Sequence, residues 1–511
     1  LSPSTSVLRA YSGHVIKHIG VANLRVVING RARNIDFFIV KKGNPAILGL
    51  LASEALGLVS RSVDVVNTAG EDDIFKEFPQ LFRGTGCVAR KYKIKLEEGA
   101  TPVVQPARRV PLALREPLRE ELRRMEQAGI IQKVQEPTDW VSPLVLVRKK
   151  DGRLRVCMDP REINKCLKRE HYQMPRREDI EADLVGARYF SRLDANSGFH
   201  QIPLDEATSK ICTFGTPFGR YRFLRLPFGI ASAPEVFQKT LSELFDSIPG
   251  TAVYIDDILI WGATAEEHDA RLRNVLQRAC EAGLTFNATK CKFRQTEIYF
   301  LGDVLTCDGI RPNAALSASL SEMPFPTDKA AVHRMLGVVN YFGKYLPNLA
   351  EKTKLLRSLI RKDTVFEWTE NHASEWKAIC HMLSQAPVLA IFDPARATKI
   401  TADASKSGLG AALLQQYGDN WRPIAYASRV MTHAEQMYSQ IEKETMGITF
   451  ACEKFRHFVY GRKIIIETDH RPLIAIASKG IGDMPPRLQR FFLRLLTYDY
   501  ELRIIPGKQL V

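Results

Sequence analysis

Val253-Tyr254-Ile255-Asp256-Asp257-Ile258-Leu259-Ile260-Trp261 is the stretch whose reading decides the fold. Two adjacent carboxylates stand between two short apolar runs, with Gly250 and Gly262 on either side. Runs this short and this β-branched read as buried strands, so the natural drawing is a hairpin with the Asp256-Asp257 pair at its tip. Asp-Asp is a poor local choice there, because two-residue hairpin turns favour Asn-Gly or Asp-Gly. Two like charges side by side in an apolar setting are also costly unless a cation neutralises them. Magnesium is the natural candidate. Standing alone, the stretch is equally an ordinary surface turn, and the rest of the chain has to decide.

At 511 residues the chain is too long for one core, and its length fits about three or four domains. Hydrophobic residues make up 45% and charged residues 25%, which excludes wholesale disorder. The net charge of +15 calls for a polyanionic partner or an anionic surface. No apolar run approaches the roughly 20 residues of a membrane span, so nucleic acid is expected and a membrane is not. The 9 Cys are scattered, with no Cys-x-x-Cys pair, and read as reduced intracellular thiols rather than a zinc site or disulfide scaffold.

Residues 1–66 alternate in short β-like pieces: Leu24 to Ile28, a turn at Asn29-Gly30, then Ile35 to Val40. A helix-like stretch follows Ile47-Leu48-Gly49 and ends near Gly57. This small all-β segment resembles the C-terminal part of a retroviral-type aspartic protease, where an apolar-apolar-Gly element precedes a short helix. The family's catalytic Asp-[Ser/Thr]-Gly is absent, since Asp36 and Asp64 are the only Asp residues here and neither fits. The segment is read as a truncated remnant, and an active aspartic protease is set aside. Residues 67–104 read as a linker, with Glu71-Asp72-Asp73 and then Gly84, Gly86 and Gly99.

From Pro111 the spacing of Leu114, Leu118, Leu122 and Met125 predicts a helix. Its Arg115, Arg119, Arg123 and Arg124 read as a solvated face. A strand from Val141 to Val147, a tip at Arg148-Lys149-Lys150-Asp151-Gly152 and a return strand from Arg153 to Met158 follow. Cations at a flexible Gly tip suit a loop folding over phosphates. Further on, a short strand-like run closes on Asp194, and Leu226-Pro227-Phe228-Gly229 leads into a helix from about Ala233 to Phe245. If the strands carrying Asp194 and Asp256-Asp257 met in one antiparallel sheet, their carboxylates would hold two magnesium ions roughly 3.5–4 Å apart.

Six ordered elements make residues 100–320 resemble the reverse transcriptase of gypsy-class long-terminal-repeat retrotransposons. They are Lys149 to Gly152 with Arg155, Asp159 to Asn164, Leu193-Asp194 through Gln201, Leu226 to Gly229, Tyr254 to Asp257, and Phe300-Leu301-Gly302. Pro160 departs from the family's aromatic residue at that position. The resemblance implies an RNA-directed DNA polymerase in which Asp194, Asp256 and Asp257 hold two Mg2+, with Mn2+ a possible substitute. One ion would lower the pKa of the primer 3′-hydroxyl and the other would neutralise the triphosphate and leaving pyrophosphate. It further assigns Lys149 and Arg155 to the deoxynucleoside triphosphate, and Phe199 to a gate against the ribose 2′-hydroxyl. Phe228 and Tyr254 would line the template and primer side; for both rings simple core packing competes. A helix over 264–283 and strands at Phe293 and Ile298 to Leu305 follow, the strands resembling a primer grip. The helical pattern from Pro312 to Lys362 resembles a thumb leading into a connection.

A second acidic set lies near the end. Ile400-Thr401-Ala402-Asp403-Ala404-Ser405 starts a strand, a second strand-like run covers Pro423 to Ser428, and a long helix runs from about Ala434 to Phe458. Its apolar stripe holds Ile441, Ile448, Ala451, Cys452 and Phe455, with Glu444 at the centre and Glu442 and Glu453 solvated. A glutamate on an inward face needs a reason, and a metal is a good one. Ile464 to Asp469 forms a third strand ending in an acid. Asp403, Glu444 and Asp469, with Thr468-Asp469-His470-Arg471-Pro472-Leu473 around the last, resemble ribonuclease H over 396–511. Such enzymes hold two magnesium ions with four carboxylates and cleave the RNA strand of an RNA–DNA hybrid. The fourth follows a Gly-Lys element; Gly507-Lys508 is present and the sequence stops at Val511, so nuclease activity is expected to be impaired.

The expected fold is α+β: a right-hand polymerase (105–320 fingers and palm, 321–395 thumb and connection) followed by a mixed-sheet ribonuclease H domain over 396–511. The implied partners are an RNA template, a DNA primer, the RNA–DNA hybrid and deoxynucleoside triphosphates. A degenerate copy that binds nucleic acid without catalysis is the competing reading, against which the intact acids and Lys149 and Arg155 weigh. Leu1 in place of Met and the end at Val511 read as a piece of a longer polyprotein. Its expected location is intracellular, cytoplasmic within a virus-like particle with a nuclear stage.

Overall fold

The computed structural model describes residues 8–9, 15–16, 18–28, 31–40, 69–148, 152, 154–477 and 480–506, in two units divided after Gly70. In the first unit, β1 (His18–Ile28) and β2 (Arg31–Val40) pair antiparallel, with Leu24 opposite Ile35. The Asn29-Gly30 turn and the helix-like stretch ending near Gly57 lie outside the described residues.

The second unit begins inside the stretch expected to be a linker. Ile74, Leu81, Val88, Tyr92 and Ile94 are all buried in its main core, so this part of the chain is packed structure. Gly86 is required by a close approach rather than by flexibility: a Cβ there would lie 2.6 Å from the Gly283 carbonyl. Next, α1 (Leu112–Gln127) buries Leu118, Leu122 and Met125 at helical spacing. On its outer side Arg119 pairs with Glu116 and Arg124 with Glu121. β3 (Ile131–Val134), β4 (Ser142–Arg148), β5 (Leu154–Met158), β7 (Thr213–Thr216) and β8 (Gly219–Phe223) form one sheet in the order β3-β8-β7-β4-β5.

A second sheet takes β6 (Tyr189–Asp194), β9 (Thr251–Tyr254), β10 (Asp257–Gly262) and β11 (Lys292–Gln295) in the order β9-β10-β6-β11. Leu193, Val253, Ile258 and Ile260 join the main core, while Phe190, Leu259 and Trp261 enter a second core behind it. The sheet is flanked in sequence by α2 (Ala233–Phe245), which buries Phe237, Leu241 and Phe245, and by α3 (Ala265–Glu281), capped by Thr264. Fully burying each such aromatic contributes about 1.5–3 kcal/mol.

Where one run over Ile298 to Leu305 was read, the chain turns at Leu301-Gly302 between β12 (Glu297–Phe300) and β13 (Asp303–Thr306). The Tyr341 hydroxyl donates to the Leu301 carbonyl at 2.9 Å, and a Cβ on Gly302 would collide with that hydroxyl. Asp303 is fully buried, held by Arg177 and by Lys344 Nζ at 2.8 Å. Burial pushes Lys344 down to about 8.

The last sheet is mixed: β14 (Thr398–Ala404) lies between β15 (Gly408–Tyr417) and the parallel β17 (Lys463–Thr468), with β16 (Asn420–Val430) and β18 (Asp499–Ile504) at the edges. The expected single helix over 434–458 is three pieces, His433–Gln436, α4 (Gln440–Lys454) and Arg456–Val459. Ser439 and Glu442 form a capping box that restarts the helix, so Glu442 is not simply solvated; it also binds Arg487 at 2.8 Å. Among the described residues no helix is long and apolar enough to cross a membrane.

Removing Asp303 leaves the half-buried Arg177 and Lys344 to share Glu181 as their one remaining carboxylate partner among the described contacts. With Glu181 still pairing both cations, Asp303→Ala is expected to lose about 1–3 kcal/mol of stability, read as a lower denaturant midpoint at unchanged slope.

Candidate active sites

The first site is built on the β9–β10 hairpin. Tyr254 pairs with Asp257 and Asp257 with Asp194, so these three residues form one row across three strands. The tip is therefore Ile255-Asp256 rather than Asp256-Asp257, because Asp257 belongs to the ladder. Ile255 has φ of +52°, a strained backbone for a β-branched residue. The buried Gln238 on α2 holds the turn: its Oε1 accepts from the Ile255 N–H at 2.7 Å and its Nε2 donates to the Val253 carbonyl at 2.9 Å. The Ala195 N–H donates to the Asp256 carbonyl at 2.9 Å, tying the turn to β6.

Burial, then the charges of Asp194 and Asp257, push Asp256 up to about 6. Burial and Asp194 raise Asp257 too, against the Arg192 guanidinium 3.8 Å away. Lys290 Nζ lies 3.1 Å from each Asp194 oxygen. Asp256 Oδ1 is buried with no hydrogen-bond partner, and a Cβ on Gly198 would come within 2.5 Å of it. Next to Gly198, the Phe199 ring packs 5.0 Å from Phe228 and 5.7 Å from Phe237. The Arg155 guanidinium sits 5.1 Å above the Phe228 ring and lowers the Asp256 pKa. Arg155, Phe199 and Phe228 are thus gathered beside the acids, while Tyr254 flanks them in the sheet. Lys149 lies outside the described residues.

The second site lies on the last sheet. Asp403 is on β14, Asp469 directly follows the parallel β17, and Glu444 projects from α4. Glu444 is 5% exposed, and burial together with Asp403 and Asp469 pushes it up to about 7. Gln440 Nε2 donates to Glu444 Oε1 at 2.5 Å. Burial raises Asp403, with Asp469 and Glu351 adding to it.

Comparison with known proteins matches two family models to this chain. The family "Reverse transcriptase (RNA-dependent DNA polymerase)" matches residues 147–305, and "RNase H-like domain found in reverse transcriptase" matches 368–466. The chain carries a reverse transcriptase domain followed by a ribonuclease H-like domain. The Retrovirus-related Pol polyprotein from transposon 412 of Drosophila melanogaster is 36% identical over 402 residues, 76% of this chain and 32% of that protein. The transposon Tf2-3 polyprotein of Schizosaccharomyces pombe is 28% identical over 95% of this chain and 38% of its own length. The chain spans about a third of the length of these curated relatives. In fold, it resembles a foamy viral protease-reverse transcriptase solved with double-stranded DNA, with a TM-score of 0.76 and 22% identity over 87% of this chain and 95% of that one.

Sequence reasoning missed Gln238 and Lys290 at the polymerase site, and Glu351 beside Asp403. Gln238 lies on a helix that was read only for its extent, and Glu351 comes from a segment that carried no chemical signal. Lys290, in Thr289-Lys290-Cys291-Lys292, is one cation among 72, and only the fold aims it. Among the described residues no three acidic, His or Cys groups already converge as a closed metal cage. The donor set still fits a hard divalent cation: oxygen ligands, a buried partnerless Asp256 oxygen, and a lysine holding Asp194's countercharge.

Asp256 titrates higher in the folded chain than the ordinary carboxylate value. Without metal, stability should therefore fall as pH rises from about 4 to about 6. Asp256→Asn in a chelating buffer should flatten that slope in part, leaving the shares of Asp257, Asp403 and Glu444, and gain about 1–3 kcal/mol at pH 7, measured by thermal unfolding across pH.

Proposed function

We propose that the chain is an RNA-directed DNA polymerase that also copies DNA, joined to a ribonuclease H that cleaves RNA in RNA–DNA hybrids for retrotransposon replication. The observation that carries this reading is the row of Asp194 and Asp257 across the sheet with the half-buried Asp256 beside it. In it, residues 105–320 serve as fingers and palm, 321–395 as thumb and connection, and 396–511 as the nuclease domain. Asp194, Asp256 and Asp257 would hold two Mg2+, replaceable by Mn2+, and Asp403, Glu444 and Asp469 a second pair. When bound, these cations lower the pKa of the attacking hydroxyl or water and neutralise charge on the phosphates.

The chain's own residues do the rest. Arg155, steadied on the Phe228 face, would grip the triphosphate of the incoming deoxynucleotide together with Lys149. Phe199, wedged between Phe228 and Phe237, makes a rigid wall for the sugar. Phe228 and Tyr254 line the template and primer side. The net charge of +15 suits an RNA template, a DNA primer and their hybrid. Replication of this kind would take place inside the cell, within a particle.

With Mg2+, the chain should extend a DNA primer on an RNA template. Asp256→Asn should lose at least about 10³-fold of the rate, about 4 kcal/mol of transition-state stabilisation. No extension by the unaltered chain, with hybrid binding retained, would leave a nucleic-acid-binding relic. Phe199→Ala should narrow the preference for deoxynucleotides over ribonucleotides by about tenfold or more, measured from the two kcat/KM values.

A further inference from the structure

Behind β6, outside the acidic cluster, four residues close a ring. Ser191 lies three positions before Asp194 on the opposite face of the strand, and both it and His268 of α3 are fully buried. Ser191 Oγ lies 2.8 Å from His268 Nε2, and His268 Nδ1 lies 2.9 Å from Asp269 Oδ1. The backbone N–H of Arg294 donates to Ser191 Oγ at 2.9 Å, while its guanidinium returns to Asp269 at 3.6 Å.

The directions of these bonds follow from chemistry. A carboxylate only accepts, so His268 Nδ1 carries the proton given to Asp269. Burial holds His268 below its usual pKa, with Arg294 and Arg271 also lowering it and Asp269 opposing. A neutral ring then leaves Nε2 as the acceptor, so the Ser191 hydroxyl donates to His268 while accepting from Arg294. The Ser-His-Asp order is that of a hydrolase triad, but Ser191 and His268 are sealed from solvent and can meet no substrate. Their role is mechanical.

The ring sits where the edge strand loses register. β11 pairs with β6 at Lys292–Arg192 and again at Gln295–Phe190, with a bulge between. Arg294 in that bulge has φ of +47°, a conformation that persists only where surroundings over-determine it. Just before the strand is Lys290, whose ammonium meets both Asp194 oxygens at 3.1 Å. We propose that Ser191, His268 and Asp269 are positioning residues of the polymerase centre, fixing the Arg294 bulge and thereby the reach of Lys290 to Asp194. The functional part of this rests on the polymerase reading above.

The test splits the ring. His268→Gln keeps a polar group at the Nε2 end for Ser191, His268→Asn keeps only the Nδ1 end for Asp269, and Ser191→Ala removes the node with the least disturbance of packing. Lys290 acylation, followed by mass spectrometry on the full chain, reads the Asp194 contact without needing activity. Labelling should rise severalfold in Ser191→Ala and His268→Asn and stay near the unaltered chain's value in His268→Gln. In single-nucleotide incorporation kcat should fall about tenfold in the first two, with KM within about twofold, and recover in Gln. Unchanged Lys290 labelling and kcat in Ser191→Ala would overturn the proposal, as would equal loss in Gln and Asn. An inactive unaltered chain with the predicted labelling pattern would defeat the polymerase reading and support the ring.

Discussion

Three carboxylates crowd the end of one hairpin, and their repulsion is the constraint that the polymerase half of the molecule is built to tolerate. Asp194 and Asp257 face each other across paired strands, where like charges are destabilising, and Asp256 lies half-buried in the turn beside them. The turn is itself strained at Ile255. Gln238 holds it from below, Gly198 leaves room beside the Asp256 oxygen, and Lys290 lends a positive charge to Asp194. Each of these is a local cost or its remedy, arranged so that a divalent cation would relieve what the protein alone leaves unresolved.

The ribonuclease H-like domain reaches a similar electrostatic state on different scaffolding. Its acids come from two parallel strands and the inward face of a helix, and the helix glutamate is the most desolvated of them. Glu351 brings a fourth negative charge to Asp403 from a different part of the chain, since Asn348 and Ala350 of the same segment rest on Gly410 and Gly408. The interior strand β15 thus depends on small residues that let this neighbouring segment approach closely.

Much of this was legible in sequence because it is local. The helix over Ala233–Phe245 has its expected ends, and all the candidate acids of both sites fall in short motifs with fixed order. What was not legible depends on contacts distant in sequence. Gly408 and Gly410 obscured β15 because glycine weakens a strand signal, yet there they admit Ala350 and Asn348. The presumed linker is packed because Leu81 and Tyr92 find partners far along the chain. The hairpin tip was misplaced by one residue because cross-strand register, not turn propensity, decides it. Lys290 could not be singled out, since its aim depends on a bulge that no propensity encodes.

Asp256 and Glu444 are held partly protonated near neutral pH until a cation arrives. Mn2+ titration calorimetry at about pH 6.5 in buffers of different ionisation enthalpy tests this most directly. Binding should be coupled to proton release, reduced by Asp256→Asn and by Glu444→Gln separately and lowest when both are combined. Binding without proton release, or release undiminished by both substitutions, would contradict this.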